Sequence, residues 1–135
     1  MLTIIKEFLD DLFIKKDPNI FDYVKFIKNM KKQKKGLMSK KQYLTIAKKL
    51  RESSPCNLLV FGLGEDSYLW SKINHKGTTI FLEDSTEWIA SVNDGTLDVE
   101  HVIYQTSIEN QKEIGYDPEK LEIPLPSRIS DLKYD

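Results

Sequence analysis

The chain has 135 residues, of which 40% are hydrophobic and 30% charged, and its formal net charge at pH 7 is −1. This size and composition predict one modest hydrophobic core rather than two independent domains. No apolar run approaches the roughly 18 residues of a membrane-spanning helix, and acidic residues follow the N-terminus too closely for a signal peptide. We therefore expect a cytoplasmic protein without membrane contact. A single cysteine, Cys56, excludes an intramolecular disulfide and a cysteine-based metal cluster within one chain.

The charge is distributed unevenly along the chain. Residues 1–50 carry 13 lysines and 5 acidic residues, whereas residues 51–135 carry 7 basic and 16 acidic residues. Such a split is typical of solvated helix faces, of attraction between the two parts of the chain, or of a surface that attracts a polyanion or an acidic partner. Aromatic residues in the basic part fall at the spacing of a helix core, so the stacking platforms of a single-stranded nucleic-acid site are not evident. Nucleic acid is therefore not the expected partner.

Residues 1–53 are predicted to form an N-terminal helical region. Apolar residues recur at helical spacing over 3–14 and again over about 20–30, where the pattern leads into a basic connector at 31–36. Ser39 and Gln42 have the spacing of a capping box, which predicts the start of a third helix over 39–53. All three predicted helices are amphipathic.

Residues 54–135 alternate between strand and helix patterns. Short β-type runs fall at 57–61, 78–82 and 98–104, and helical patterns fall near 66–73, 85–93 and 107–114. This alternation predicts βαβ units that form a parallel sheet with right-handed crossovers. The proline-rich segment at 121–126 suits neither a helix nor a central strand. We therefore predict an α/β fold in which amphipathic helices precede a partial Rossmann-like sheet of three parallel strands, within one domain overall.

A glycine turn follows the first predicted strand, and an acidic residue ends the second. Gly62 and Gly64 lack a Cβ, so the main chain can approach a ligand, while Glu83 lies where a carboxylate accepts hydrogen bonds from ribose hydroxyls. This pattern predicts a site for an adenosine-containing cofactor. Asp84 is a further candidate contact, although its position favours the capping of the following helix. Thr106 ends the third predicted strand, where the adenine of such a cofactor would lie.

The residues around the turn favour one cofactor over another. Ser67 occupies the place of the third glycine in the dinucleotide fingerprint, which disfavours a nicotinamide-dependent oxidoreductase. Glu65 and Asp66 would repel a pyrophosphate, but they suit the sulfonium and ammonium groups of S-adenosylmethionine. No metal site is predicted, because His75 and His101 lack suitably spaced partners. Trp70 and Trp88 are predicted to lie in the core.

Several stretches of the sequence form one combined pattern. The main ones are Ser54–Trp70, Asn74–Asp84 and Trp88–Ile89, and Met38, Leu50–Arg51 and Val102–Thr106 add to it. Their combined pattern closely resembles the plant glucuronoxylan 4-O-methyltransferase family and its irregular-xylem relatives. The resemblance implies a class I methyltransferase fold, S-adenosylmethionine as methyl donor, and transfer to a sugar-acid hydroxyl. It also implies that Gly62, Gly64 and Asp66 line the methionine side of the cofactor and that Glu83 binds its ribose.

The resemblance leaves the catalytic residues unknown. In class I methyltransferases a fourth strand follows the third βα unit, and residues 129–135 look like the approach to it. The sheet is therefore expected to be truncated, as a fragment, as half of an assembly with a complementary chain or a second copy, or as a cofactor-binding relic. The expected function is that of an O-methyltransferase with a small-molecule or carbohydrate acceptor. The alternative is a non-catalytic interaction module whose basic helical region binds an acidic partner or RNA.

Overall fold

A computed structural model describes residues 21–104 and 122–134, together with positions 109, 112, 115, 117 and 119. The helix predicted over 3–14 lies outside these residues, and the helix predicted over 107–114 lies almost wholly outside them. Thr106, the candidate contact for the adenine, also lies outside the described residues. The N-terminal helical region is therefore described from its second predicted helix onward.

Two amphipathic helices precede the sheet, as the sequence predicts. Helix α1 spans Tyr23–Lys32, and helix α2 spans Lys40–Ser53. The capping box is present at the start of α2, because the Ser39 hydroxyl accepts the Gln42 N–H at 3.3 Å and the Gln42 side chain accepts the Ser39 N–H at 2.8 Å. Each helix buries one face, which α1 forms with Tyr23, Ile27 and Met30 and α2 with Tyr43, Ala47 and Leu50.

The sheet contains three parallel strands in the order β1-β2-β3. The elements follow one another as β1 (Asn57–Phe61), α3 (Ser67–Ile73), β2 (Thr78–Glu83), α4 (Thr86–Val92) and β3 (Val99–His101). The predicted α/β alternation is thus confirmed. The third strand is shorter than predicted, because His101 pairs with Glu83 and β2 ends there. Without a partner beyond Glu83, the later apolar residues do not continue the ladder.

Side chains on the two faces of the sheet belong to separate hydrophobic clusters. Phe81 is buried among residues of α1, α2 and α3, whereas Ile80 and Leu82 pack with Ile129 on the opposite face. Ile129 lies in the short helix α5 (Ser127–Ser130), so the residues expected to approach a fourth strand begin as a helix. No fourth strand occurs in residues 21–104 and 122–134. Residues 122–126 have no regular structure, as their prolines predict.

A buried asparagine joins the end of α3 to the beginnings of β1 and β2. Asn74 is 1% exposed. Its side-chain amide donates to the Cys56 carbonyl at 2.9 Å and to the Thr79 hydroxyl at 3.0 Å, while its oxygen accepts the Cys56 N–H at 3.0 Å. Gly77 packs so closely that an added Cβ would lie 2.5 Å from the Asn74 oxygen. The end of the sheet at which β1 and β2 begin is therefore held by Asn74, whose buried side chain is hydrogen bonded through both its oxygen and its nitrogen.

Candidate cofactor site

The glycine turn begins where β1 ends and presents its main chain to open space. The Gly62 N–H donates to the Leu82 carbonyl at 2.7 Å, which extends the pairing with β2 by one bond. Gly62 has a φ of +97°, a conformation that favours glycine. An added Cβ at this position would meet no atom of the described residues within 4 Å. The turn therefore requires glycine for its backbone conformation and leaves room in front of it for a ligand.

Ser67 forms two hydrogen bonds with Gly64 inside the glycine turn. Its hydroxyl accepts the Gly64 N–H at 2.9 Å, and its own N–H donates to the Gly64 carbonyl at 3.0 Å. Ser67 is 1% exposed, so this arrangement is part of the buried structure. The residue at the place of the third fingerprint glycine thus occupies an amide that a pyrophosphate would otherwise use.

The Glu83 carboxylate joins the turn to the end of β2. One oxygen, Oε2, accepts the Leu63 N–H at 3.0 Å, and Oε1 accepts the N–H groups of Asp84 and Ser85 at 3.1 and 3.0 Å. Burial raises the pKa of the Glu83 carboxyl, but the hydrogen bonds from Ser85, Leu63 and Asp84 outweigh burial and hold that pKa below its ordinary value. Glu83 is therefore ionised at neutral pH. A carboxylate has about four acceptor positions, and these three N–H donors occupy three of them.

Asp66 faces away from the helix that it precedes. It occupies the N-cap position of α3, yet its side chain makes no capping hydrogen bond with that helix. Its Oδ2 instead accepts the Tyr43 hydroxyl at 3.1 Å. Its Oδ1 lies 2.9 Å from the point that a Cβ on Gly64 would occupy. The second glycine of the turn therefore makes room for the Asp66 carboxylate.

A cavity of about 650 Å³ opens beside the turn at the carboxyl end of β1. It brings together Gly62, Gly64 and Asp66, three of the site residues predicted from the sequence. Glu83 does not line this cavity, but it is hydrogen bonded to Leu63, which does. The wall also includes side chains from α2 and α4, and the lining residues most relevant to the site are Met38, Tyr43, Phe61, Glu65, Trp70 and Trp88.

Two predictions about the start of α4 are wrong. The helix is capped by Ser85, whose hydroxyl accepts the Trp88 N–H at 3.1 Å, and not by Asp84, which is exposed. Trp88 was expected in the core, but it is 45% exposed. Its indole Nε1–H donates to the Leu63 carbonyl at 2.7 Å. A tryptophan near the surface can bury part of its ring and still give its N–H a hydrogen-bond acceptor. Trp70 is buried, as predicted.

Two further residues hold the site together, and their roles were not predicted from the sequence. Trp88 fixes the carbonyl of Leu63, and Tyr43 fixes the carboxylate of Asp66. The sequence indicates these roles only weakly, because it shows no more than that a tyrosine hydroxyl and a tryptophan N–H need hydrogen-bond partners when buried. Burial raises the pKa of Tyr43, and the charge of Asp66 raises it further. The Tyr43 hydroxyl is therefore a donor throughout the physiological pH range.

Residues 21–104 and 122–134 contain no cluster of three or more His, Cys, Asp or Glu side chains placed to hold a metal ion. In the same residues, no helix is both long enough and apolar enough to span a membrane.

Comparison with known sequences assigns the chain to a family. The sequence model of the IRX15/IRX15L/GXM family matches residues 41–122, which include the glycine turn, Glu83 and the whole sheet. The chain belongs to the IRX15/IRX15L/GXM family. The resemblance stated from the sequence is thereby confirmed. No solved structure matches the chain.

Curated relatives in this family include methyltransferases from Arabidopsis thaliana. Arabinogalactan O-methyltransferase 2 is 38% identical over 88 residues, which cover 64% of this chain and 30% of the relative. Glucuronoxylan 4-O-methyltransferase 2 is 43% identical over 67 residues, which cover 48% of this chain and 23% of the relative. Protein IRREGULAR XYLEM 15 is 38% identical over 66 residues, which cover 47% of this chain and 20% of the relative. The chain thus spans between a fifth and a third of the length of these relatives.

Proposed function

We propose that the chain is the cofactor-binding part of an S-adenosylmethionine-dependent O-methyltransferase with a carbohydrate acceptor. One observation carries the proposal: an ionised carboxylate at the end of β2, Glu83, is bonded to the glycine turn at Leu63, twenty residues earlier. The names of the relatives, which refer to glucuronoxylan and arabinogalactan, support a polysaccharide hydroxyl as the acceptor. The predicted Rossmann-like methyltransferase sheet is part of this proposal, and the three parallel strands are compatible with it.

Each element of the site has a role in holding the cofactor. Gly62 allows the main chain to approach the ligand, and Asp66 supplies negative charge for its cationic methionine part. The free acceptor position on Glu83 suits a ribose hydroxyl. When bound, S-adenosylmethionine supplies the methyl group, and these residues bind and orient it. Asp84 and Thr106 stay predictions as cofactor contacts, and the catalytic base stays unassigned.

The geometry disfavours a nicotinamide dinucleotide. Three N–H groups of the turn, those of Gly62, Leu63 and Gly64, donate to the Leu82 carbonyl, to Glu83 and to Ser67. A pyrophosphate is normally bound by backbone N–H groups at such a turn. Because these three amides are already hydrogen bonded within the chain, the turn is better suited to a ligand without phosphate.

The alternative of a basic interaction module is weakened by the contacts of its lysines. Lys31 Nζ donates to the carbonyls of Gly36 and Met38 at 3.0 and 2.8 Å, and Lys35 forms an ion pair with Glu65 at 3.7 Å. Two lysines in the first third of the chain, Lys31 and Lys35, therefore make contacts within the fold. A homodimer, a complementary chain and a cytoplasmic location stay predictions.

The test is isothermal titration calorimetry with S-adenosylhomocysteine and with its 2′-deoxyribose analogue. If Glu83 accepts a ribose hydroxyl, the native chain binds the deoxy analogue about tenfold more weakly, which corresponds to one charge-assisted hydrogen bond. In Glu83→Gln this difference between the two ligands becomes small, because the accepting charge has been removed.

The matched control is Glu52→Gln, which makes the same change at an exposed position on α2. This variant keeps the native preference for the ribose ligand. Absence of S-adenosylhomocysteine binding by the native chain would refute the proposed cofactor. Equal affinity of the native chain for the two ligands would refute the role of Glu83 alone.

A further inference from the structure

Tyr43 lies in a fixed position between the helices and the glycine turn. Its side chain is fully buried, and its ring stacks on Trp70 with the centroids 5.9 Å apart and an angle of 29° between the planes. The ammonium group of Lys31 lies 5.8 Å from the ring centroid on the side of the loop that follows α1. Packing therefore leaves the hydroxyl of Tyr43 little freedom to move.

The Tyr43 hydroxyl contacts both the loop before α2 and the acid of the turn. It accepts the Met38 N–H at 3.5 Å and donates to Asp66 Oδ2 at 3.1 Å. Gly36, with a φ of +75°, packs so tightly against this hydroxyl that an added Cβ would collide with it. The loop, the ring and the carboxylate thus form one connected unit in the cavity wall.

The Asp66 side chain takes no part in capping α3. A capping residue ordinarily has an extended backbone, whereas Asp66 has a helical one, with φ of −83° and ψ of −7°, so its side chain is not placed to accept an N–H of the helix. Asp66 makes no such bond with α3 and is directed to Tyr43, with its other oxygen above Gly64. The hydrogen bond from Tyr43 therefore fixes the carboxylate in the cavity wall.

We propose that Tyr43 is a positioning residue that holds Asp66 ready to bind the α-ammonium group of the methionine part of the cofactor. This assignment rests on the proposed function. The half-buried carboxylate lines the cavity, and an ammonium group there forms a charge-assisted hydrogen bond with it. Without the Tyr43 hydroxyl, the Asp66 side chain can adopt other rotamers, and the ammonium loses a preorganised partner.

The test compares two ligands that differ only in the part that Asp66 is proposed to bind. S-adenosylhomocysteine carries the amino-acid group, whereas 5′-methylthioadenosine shares its thioether-linked adenosine and lacks that group. Calorimetric titration of Tyr43→Phe, which keeps the ring, is expected to show about fivefold weaker binding of S-adenosylhomocysteine, as for the loss of one hydrogen bond. Its affinity for 5′-methylthioadenosine is expected to equal that of the native chain.

Two further variants separate positioning from general stability. Tyr68→Phe removes a comparably bonded hydroxyl, one that donates to the Val92 carbonyl and accepts the Asp94 N–H, each at 2.9 Å, away from Asp66. This control is expected to bind both ligands as the native chain does. Asp66→Asn is expected to lose discrimination between the ligands, and adding Tyr43→Phe to it is expected to cause no further loss, because both changes remove the same interaction.

The outcomes distinguish this assignment from the proposed function. Equal weakening of both ligands in Tyr43→Phe, or native affinity for both, would overturn the role of Tyr43 while leaving the cofactor intact. Additive losses in the double variant would overturn it as well. Failure of the native chain to bind either ligand would overturn the proposed function itself. Thermal unfolding of each variant, measured alongside, shows whether the protein titrated is folded.

Discussion

Glu83 has an observed structural role and a proposed binding role, and both depend on the same charge. Its oxygens bind backbone N–H groups from two loops, one after β1 at Leu63 and one after β2 at Asp84 and Ser85. These bonds hold the glycine turn against the end of β2, and the remaining acceptor position is the one that we propose for a ribose hydroxyl. Burial alone would raise the pKa of this carboxyl, yet the three N–H donors lower it overall. The carboxylate is thus stabilised in its charged form before any ligand binds.

Replacement of Glu83 by glutamine is expected to destabilise the fold in a pH-dependent way. At pH 7, Glu83→Gln should lower the free energy of unfolding by about 2 kcal/mol, because the N–H groups of Leu63, Asp84 and Ser85 lose a charged acceptor. The pKa of Glu83 is lower in the folded protein than its ordinary value of 4.5. The stabilisation by the charge is therefore complete above that value and is lost as the pH falls through the lowered pKa of the folded state.

Urea unfolding of the native chain and of Glu83→Gln, at pH 7 and at about pH 3, measures this effect. The difference in the free energy of unfolding between the two proteins should shrink at the lower pH. Glu52→Gln, at an exposed position, should follow the native chain at both pH values. A difference between native chain and Glu83→Gln that stays constant with pH would show that shape, and not charge, explains the destabilisation.

At the scale of the elements, the sheet depends on Asn74 at the end opposite the site. Asn74→Ala removes the hydrogen bonds to Cys56 and Thr79 and leaves the part-buried N–H of Cys56 without its acceptor. We expect a loss of about 3 kcal/mol in the free energy of unfolding. Asn29→Ala, on the exposed face of α1, is expected to change it by less than about 0.5 kcal/mol.

Denaturant unfolding followed by circular dichroism measures both variants. The two proteins carry the same chemical change, so the comparison isolates the network from the removal of an amide side chain in general. Similar stabilities for Asn74→Ala and Asn29→Ala would contradict a structural role for the network. Loss of the strands in Asn74→Ala, with the helices retained, would locate the effect in the β1 and β2 ends that Asn74 joins.

Elements were predictable from the sequence where their determinants are local. The start of α2 follows from Ser39 and Gln42, three residues apart, and the capping box is present. The alternation of strands and helices was likewise visible as a change in periodicity. The end of β3 was not predictable from the sequence, because it depends on where its partner strand, β2, ends at Glu83. The cap of α4 was assigned to the wrong neighbour, since Asp84 and Ser85 are both suitable cap residues and only geometry separates them.

At the scale of the whole molecule, the site is assembled from parts far apart in the sequence. The turn and Glu83 were recognisable because their spacing is a property of one βαβ unit. The contact of Tyr43 with Asp66 spans 23 residues, and that of Trp88 with Leu63 spans 25. Each depends on how a helix packs against the turn, which periodicity does not encode. Packing also pairs Lys35 of the basic part with Glu65 of the acidic part, in partial agreement with the attraction expected from the charge split.

The three candidate functions make different predictions for the stability of the folded chain. A ligand that binds only the folded state adds about 2.7 kcal/mol to the free energy of unfolding at 100 times its Kd, which corresponds to a rise of roughly 10 °C in Tm for a chain of this size. We expect this rise in scanning calorimetry with S-adenosylhomocysteine. Oxidised nicotinamide dinucleotide should produce none, because the N–H groups of Leu63 and Gly64 are already donated within the chain.

A single-stranded RNA oligonucleotide extends the same experiment to the interaction module. Lys31 and Lys35 are held in contacts within the chain, so the exposed lysines near α1 form a reduced surface for phosphate. We expect no rise in Tm with RNA at physiological salt. A rise that is lost between 50 and 200 mM salt would support RNA binding, because phosphate contacts release counterions. A rise in Tm with the dinucleotide would instead require the glycine turn to open, so that its N–H groups no longer donate to Ser67 and Glu83. Such a rise would contradict the proposal that the turn binds its ligand in the closed state.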